Sequence, residues 1–187
     1  MNDVETILIG DKSRFAIESG ILRAYENRPV TALGFFVIYL EGYCYGVREP
    51  DATMLGNSMD EVKKRISYRG EHIASFANEP DALKVAKAYR DVIYSRAYNG
   101  ADVLGVSTQQ FNEAIFSKNI QWAPDGDEAF DDGSYILQFD LENDVRLIAF
   151  RCDENGDPLK QSLRDLRITA NEFYEILKNG IRLLKKT

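Results

Sequence analysis

The sequence predicts an α+β fold: a single domain over residues 1–187, built on a mainly antiparallel sheet with hairpins and packed by helices. Three observations lead there. Two strand pairs are joined by short turns, the helical stretches gather in blocks between and after them, and hydrophobic residues make up 44% of the chain. Strands met mostly as hairpins, with helices segregated from them, indicate an antiparallel sheet covered by helices. A chain of 187 residues suits one domain, and at this size about two-thirds of the unfolded surface can be buried. No repeat of 20–50 residues is visible. Only 49–57 and 123–133 read as linker-like.

Each element has its own signal. Phe15, Ile17 and Ile21 recur at period two within Phe15–Leu22, a half-buried strand. Gly34–Leu40 is apolar on both faces, with Phe35, Val37 and Tyr39 alternating with Phe36, Ile38 and Leu40, the pattern of a central strand covered on both sides. Glu41-Gly42 offers a tight reversal into Tyr43–Val47, completing a hairpin. A second hairpin pairs Ser134–Leu141 with Val145–Cys152 through Glu142-Asn143-Asp144. Tyr135, Leu137, Phe139 and Leu141 form its apolar face, with Gln138 and Asp140 on the other.

Among helices, Ser58-Met59-Asp60-Glu61 reads as a capping box, followed by Met59, Val62 and Ile66 at helical spacing until Gly70. From about Pro80 to Tyr98 the stripe is Leu83, Ala86, Tyr89, Ile93 and Ala97. A shorter helix starts at Ser107 or Thr108 and buries Phe111 and Ile115. The last starts at Thr169, with Glu172 completing a second capping box. It buries Phe173, Ile176, Leu177 and Leu184 and ends in Lys185-Lys186, which suits the negative end of a helix dipole.

Charge is unevenly distributed. Between Asp125 and Asp157 there are eleven acidic residues against Arg146 and Arg151, a local charge of −9 in a chain of net −7. A local field of one sign suits a surface that meets a charged partner. A net-acidic chain is poorly suited to neutralising phosphates, so no nucleic-acid partner is expected. No run approaches the ~20 apolar residues of a membrane span. Met1-Asn2-Asp3-Val4-Glu5 lacks the basic and apolar regions of a signal peptide. Cys44 and Cys152 both lie in strand-like runs; a disulfide between them stays open, with two buried thiols in a reducing compartment preferred. A cytoplasmic setting follows.

Catalytic and metal patterns are missing. The one histidine, His72, follows Arg69-Gly70-Glu71 at a helix end, a partly exposed position with no nucleophile fixed beside it by a motif. One histidine and two distant cysteines are too few for zinc. Counted from Asp153 as an EF-hand loop, glycine falls fourth and Arg164 occupies the twelfth position, where a bidentate carboxylate belongs. Around Gly10-Asp11-Lys12-Ser13 an aspartate separates glycine from lysine, and Glu5 stands where a phosphate loop has its first glycine. The pairs Asp127-Glu128 and Asp131-Asp132 invite comparison with glycosidase carboxylates, but adjacent acids in a polar loop are usually solvated. No catalytic residue, cofactor or metal is therefore expected. Trp122, just before the acidic stretch, either packs under the loop, the preferred reading, or anchors an interface.

Three stretches carry a family likeness: Ile9-Gly10-Asp11-Lys12-Ser13-Arg14-Phe15-Ala16-Ile17-Glu18; the hairpin Gly34–Val47 continuing through Arg48-Glu49-Pro50-Asp51-Ala52-Thr53-Met54-Leu55; and the later hairpin Gly133–Phe150. In this order they resemble the immunity protein 42 family of bacterial polymorphic toxin systems, over most of the chain. The resemblance implies a cytoplasmic, non-enzymatic toxin inhibitor in bacterial competition, whose partner is a cognate toxin domain; the sequence leaves open a monomer or a small homo-oligomer. It brings no residue assignments. The candidate partner surface is read from charge instead: Trp122, Asp125, Asp127, Glu128, Asp131 and Asp132, joined by Asp140 and Glu142. The alternative is a small enzyme or ligand-binding protein with a carboxylate-lined site near Trp122.

Overall fold

The computed structural model describes residues 5–23, 32–95, 102–126 and 128–184. Within them are eleven strands, all paired antiparallel, and four α-helices. The first sheet runs β1 (Glu5–Asp11), β2 (Phe15–Arg23), β3 (Leu33–Leu40) and β4 (Tyr43–Tyr45), with the two-residue β5 (Thr53–Met54) also on β3. The second runs β11 (Arg164–Thr169), β10 (Asp144–Arg151), β9 (Ser134–Asp140) and β8 (Gln121–Ala123). A minimal ribbon joins β6 (Asp102–Val103) to β7 (Val106–Ser107). The helices are α1 (Leu55–Ser67), α2 (Ala82–Tyr94), α3 (Thr108–Ser117) and α4 (Ala170–Leu184).

Both expected hairpins form. β3 turns into β4 through Glu41 and Gly42, whose φ angles of 47° and 79° put both turn residues in the left-handed region. A turn with two positive φ values matches the right-handed twist of the strands. As expected of its two apolar faces, β3 is central, with seven of its eight residues buried. Next to it, the Phe35 ring lies over Gly20; a Cβ on Gly20 would stand 2.1 Å from that ring, so the strand pair needs glycine there. β9 pairs with β10 from Asp140↔Val145 to Ser134↔Arg151.

The sheets stack with α4 between them. Its Phe173 and Leu177 are wholly buried, joined by Phe15, Phe36 and Ile38 of the first sheet and Ile136 and Leu147 of the second. α1 contributes Leu55 and Val62 to the same core. On the far side of the second sheet, α2 and α3 cover Leu137, Phe139, Ile148 and Phe150 with Val85, Tyr89, Phe111 and Ile115. A small apolar group, Ala16, Phe35, Val37 and Tyr39, occupies the outer face of the first sheet.

Several expectations need correcting. α1 starts at Leu55, three residues before Ser58, with Met54 at the N-cap and no capping side chain. It grows directly out of β5, and the Leu55 amide donates to Ala32 O at 3.0 Å, so tertiary structure supplies the cap that Ser58 was expected to give; Ser58 is buried inside the helix. On α2 the buried positions are Ala82, Val85, Ala86 and Tyr89, so the stripe is rotated from the expected one and Leu83 lies at its margin. Ala97 and Tyr98 lie outside the described residues, as do Lys185 and Lys186. α3 carries a complete capping box between Ser107 and Gln110. At α4 the Glu172 amide donates to Thr169 Oγ1 at 3.3 Å, while the Glu172 carboxylate takes Arg14 at 2.7 Å. Both cysteines are free thiols. The second face of β9, read as polar, is also buried.

Candidate functional site

Burial of that polar face creates an internal network. The Asp140 carboxylate accepts from Tyr174 Oη at 2.9 Å, Gln138 Nε2 at 3.1 Å and the Gly70 amide at 2.6 Å. Gln138 Oε1 accepts from Arg65, whose guanidinium also donates to Asn119 O and Gln121 O and pairs with Glu61 at 3.0 Å. Arg65 is fully buried, and burial, opposed by Glu61, brings its pKa down to about 10. Buried charges survive where they are paired and hydrogen-bonded; both terminal nitrogens of the Arg65 guanidinium are engaged, while its Nε has no partner among the described residues. This network ties α1 and α4 to β8 and β9.

Trp122 belongs to the same interior. It has no exposed surface, meets Phe173 edge-on with centroids 6.0 Å apart, and lies 5.0 Å beneath the Arg65 guanidinium. Packing is therefore its role in this fold, and as a surface anchor it is corrected. The alternative reading, a carboxylate-lined site near Trp122, loses the tryptophan as a lining residue for the same reason. His72 is likewise wholly buried, not partly exposed. Its Nδ1 is 2.9 Å from Lys118 O, and burial, then the Arg65 charge, hold its pKa below the usual value. A neutral, enclosed imidazole is poorly placed to act on a substrate arriving from solvent.

The acidic residues divide by role. Asp132 is an internal clip: its carboxylate accepts from the Gly46 and Ser134 amides, both at 3.0 Å, and pairs with Arg151. Asp140 is buried in the network above. Asp125 is half-buried after the cis Ala123–Pro124 bond and borders a cleft of about 430 Å³ lined also by Glu61, Lys64, Phe116 and Gln121. Asp127 lies outside the described residues. Glu128 and Asp131 are exposed, held out by a 3₁₀ turn (Glu128–Phe130) whose Ala129 and Phe130 are buried.

Glu142 is exposed too, but beyond the opposite end of β9, whose seven residues span roughly 20 Å at ~3.3 Å per residue. The stretch that is continuous in sequence is thus split between the two ends of one hairpin. Residues that sequence separates gather instead at the Asp131 end. The Val47 amide donates to Ala129 O at 2.8 Å, which brings exposed Glu49 and Asp51 there. Because Arg151 pairs with Ser134, the loop carrying exposed Asp153, Glu154 and Asp157 returns to the same end. Three arginines nearby face inward or are engaged: Arg48 with Glu18, Arg151 with Asp132, Arg90 with Gly156 O. Glu49 and Asp51 were missed in the sequence because their proximity depends on the Val47–Ala129 bond.

A second charged cluster lies on the outer face of the first sheet. Glu18, only 3% exposed, accepts from Arg48 at 2.7 Å, Lys12 at 2.8 Å and Tyr39 at 2.7 Å. Burial would raise its pKa, but those three donors outweigh it and hold the carboxyl at about 2. Among the described residues no group of three or more His, Cys, Asp or Glu is placed to hold a metal ion, and no helix is long and apolar enough to cross a membrane.

A family model described as Immunity protein 42 matches residues 7–182. No curated protein matches the chain. Among solved structures, the crystal structure of CdiI from Burkholderia dolosa AUO158 is similar, with a TM-score of 0.57 at 16% identity; the alignment covers 97% of this chain and 100% of that one. At that identity the likeness is one of fold.

Proposed function

The chain belongs to the immunity protein 42 family, and from that premise we propose that it binds a cognate bacterial toxin domain and neutralises it without catalysis of its own. The family match over residues 7–182 is the observation that carries the reading. The interior supports it: the one histidine is sealed, Asp140 is engaged by Tyr174, Gln138 and Gly70, and Asp132 links Gly46 beside the first sheet to Arg151 of the second. The chain acts as one domain in the cytoplasm, as a monomer or small homo-oligomer, in a polymorphic toxin system. The toxin meets it partly at the acidic end of the β9–β10 hairpin, where Glu128 and Asp131 join Glu49 and Asp51. Such a surface would draw a basic toxin face by long-range attraction, speeding association.

Co-expression with the toxin domain encoded next to this chain's gene tests the reading. Survival of the host and co-purification of the two chains are expected. Continued killing by a toxin that the chain fails to retain on a column would overturn it.

A further inference from the structure

Apolar side chains exposed singly are ordinary on a protein surface and need no partner. Tyr94, the last residue of α2, is a different case: it is 43% exposed, yet its ring is held from several sides. The Arg90 guanidinium lies 4.4 Å from the ring centroid, one turn back along the helix. The rings of Tyr89 and Tyr135 meet it at 5.9 and 5.7 Å, both at steep angles. The phenol oxygens of Tyr89 and Tyr94 are 3.4 Å apart. Arg90 is fixed in turn: it lies 4.8 Å over the Tyr135 ring and donates to Tyr135 Oη at 2.5 Å and to Gly156 O at 3.1 Å. That last bond brings the loop 153–157 against α2.

This arrangement is continuous with the acidic end of the β9–β10 hairpin, because Tyr135 follows Ser134 at the start of β9. Glu154 and Asp157 stand exposed in the loop that Arg90 holds. Exposed Asp91, three residues before Tyr94, shares its face of the helix. Among the described residues, no cation pairs with any of these three carboxylates. Exposed Lys87 lies seven residues before Tyr94, two turns down the helix. A tyrosine already ordered loses little freedom when a partner covers it. Tyrosine and arginine are also prominent among the residues that dominate binding energy.

Charge selects the occupant. A second copy would bring the same acids to face these, and a phosphate backbone would be repelled. A lysine or arginine suits the patch, because its aliphatic stem can lie along the ring while its charge reaches the carboxylates. We propose that Tyr94, backed by Arg90 and Tyr135, anchors the toxin contact by receiving a lysine or arginine side chain of the toxin domain. The proposal rests on the toxin-binding reading above. It gives the acidic surface the aromatic anchor that Trp122, packed inside, does not supply.

Tyrosine nitration by tetranitromethane, read by mass spectrometry, tests this on the free chain and on its complex with the catalytically inactivated toxin domain of the adjacent gene. Tyr68, 41% exposed at the end of α1, is the internal reference. Both tyrosines should react in the free chain, and the complex should slow Tyr94 relative to Tyr68 by about tenfold or more. Tyr94→Ala should speed dissociation of the complex by about tenfold or more, whereas Tyr94→Phe should stay within about threefold. Replacing Asp91, Glu154 and Asp157 by their amides should weaken binding by about threefold or more. Unchanged affinity in that variant overturns the cationic occupant. If the complex forms but Tyr94 is nitrated as fast as before, or Tyr94→Ala dissociates at the original rate, the anchor falls and toxin binding stands. Absence of any complex overturns the functional reading and the anchor with it. An unreactive Tyr94 in a monomeric free chain would show the ring covered by the chain itself. Protection that grows with concentration, with a dimer's mass, would make a second copy the occupant; either result overturns the proposal.

Discussion

Replacing Phe173 with alanine probes the layer where the two sheets meet across α4. The ring is wholly buried, with centroids 5.1 Å from Phe15, 5.0 Å from Tyr174 and 6.0 Å from Trp122. Truncating a buried phenylalanine costs about 3–5 kcal/mol, and each lost aromatic pair adds about 0.5–1.5 kcal/mol beyond area, though not additively. Both sheets are fixed by their own hydrogen-bonded ladders, so the void has little means to collapse, and a loss of about 4–5 kcal/mol is expected. At ~2–4 °C per kcal/mol for a chain of this size, the thermal midpoint should fall by roughly 8–20 °C. Trp122 supplies the assay, since it is the only tryptophan and lies buried against Phe173. Urea unfolding followed by its fluorescence should give an unchanged slope and a midpoint lower by about 2 M. A loss under about 2 kcal/mol would refute the placement of Phe173 in a closed core between the sheets.

Acid should expose the Glu18 cluster. Its folded pKa of about 2 lies below the ordinary 4.5, so its contribution is complete above about pH 4.5 and is lost as pH falls towards 2; with Lys12 and Arg48 half in water it is on the order of 2 kcal/mol. Glu18→Gln should flatten stability over that window in urea titrations, and an unaltered acid limb would count against the cluster. His72→Ala should lower stability through loss of its packing and its bond to Lys118 O, yet leave toxin protection intact at permissive temperature; a folded variant that fails to protect would point to a functional imidazole. Neutralising Glu49, Asp51, Glu128 and Asp131 together should slow association with the toxin and reduce its salt dependence while the thermal midpoint stays within about 2 °C. Unchanged association rates at low salt would assign this acidity to solubility.

What could be read from the sequence was local. β3 announced itself because both faces are apolar, and its turn because Glu41-Gly42 suits left-handed backbone. The two hairpins and the buried face of α4 follow from periodicity over a few residues. β1 was not read, because Thr6-Ile7-Leu8-Ile9 alternates only weakly and its strand character comes from pairing with β2. β8 and β11 were missed for a similar reason: three residues at an edge, or six interrupted by charge, acquire their conformation from the neighbour they pair with. The start of α1 was misplaced because a carbonyl 23 residues away, that of Ala32, satisfies its first amide. A capping signal at Ser58 cannot compete with a cap supplied by tertiary contact.

The candidate site was harder to read because charge counted along a chain says nothing about where strands carry it. Asp132, Asp140 and Glu142 lie within eleven residues, yet one clips Gly46 and Arg151, one is sealed under Tyr174, and one stands in solvent at the far end of β9. Alternation places only Asp140, which shares the α4-facing side of β9 with Ile136 and Gln138, and there a carboxylate persists only with donors around it. Asp132 and Glu142 lie beyond the two ends of the strand. The polar positions Gln138 and Asp140 looked like a solvent face because polarity usually marks one. Tyr174 and Arg65, each far away in sequence, convert that face into an interior by donating to Asp140 and to Gln138. A surface for a partner must then be assembled from what remains exposed after the fold has used its own charges. By that criterion Glu49 and Asp51 belong with Glu128 and Asp131, whereas Asp132 and Asp140 belong to the structure that presents them.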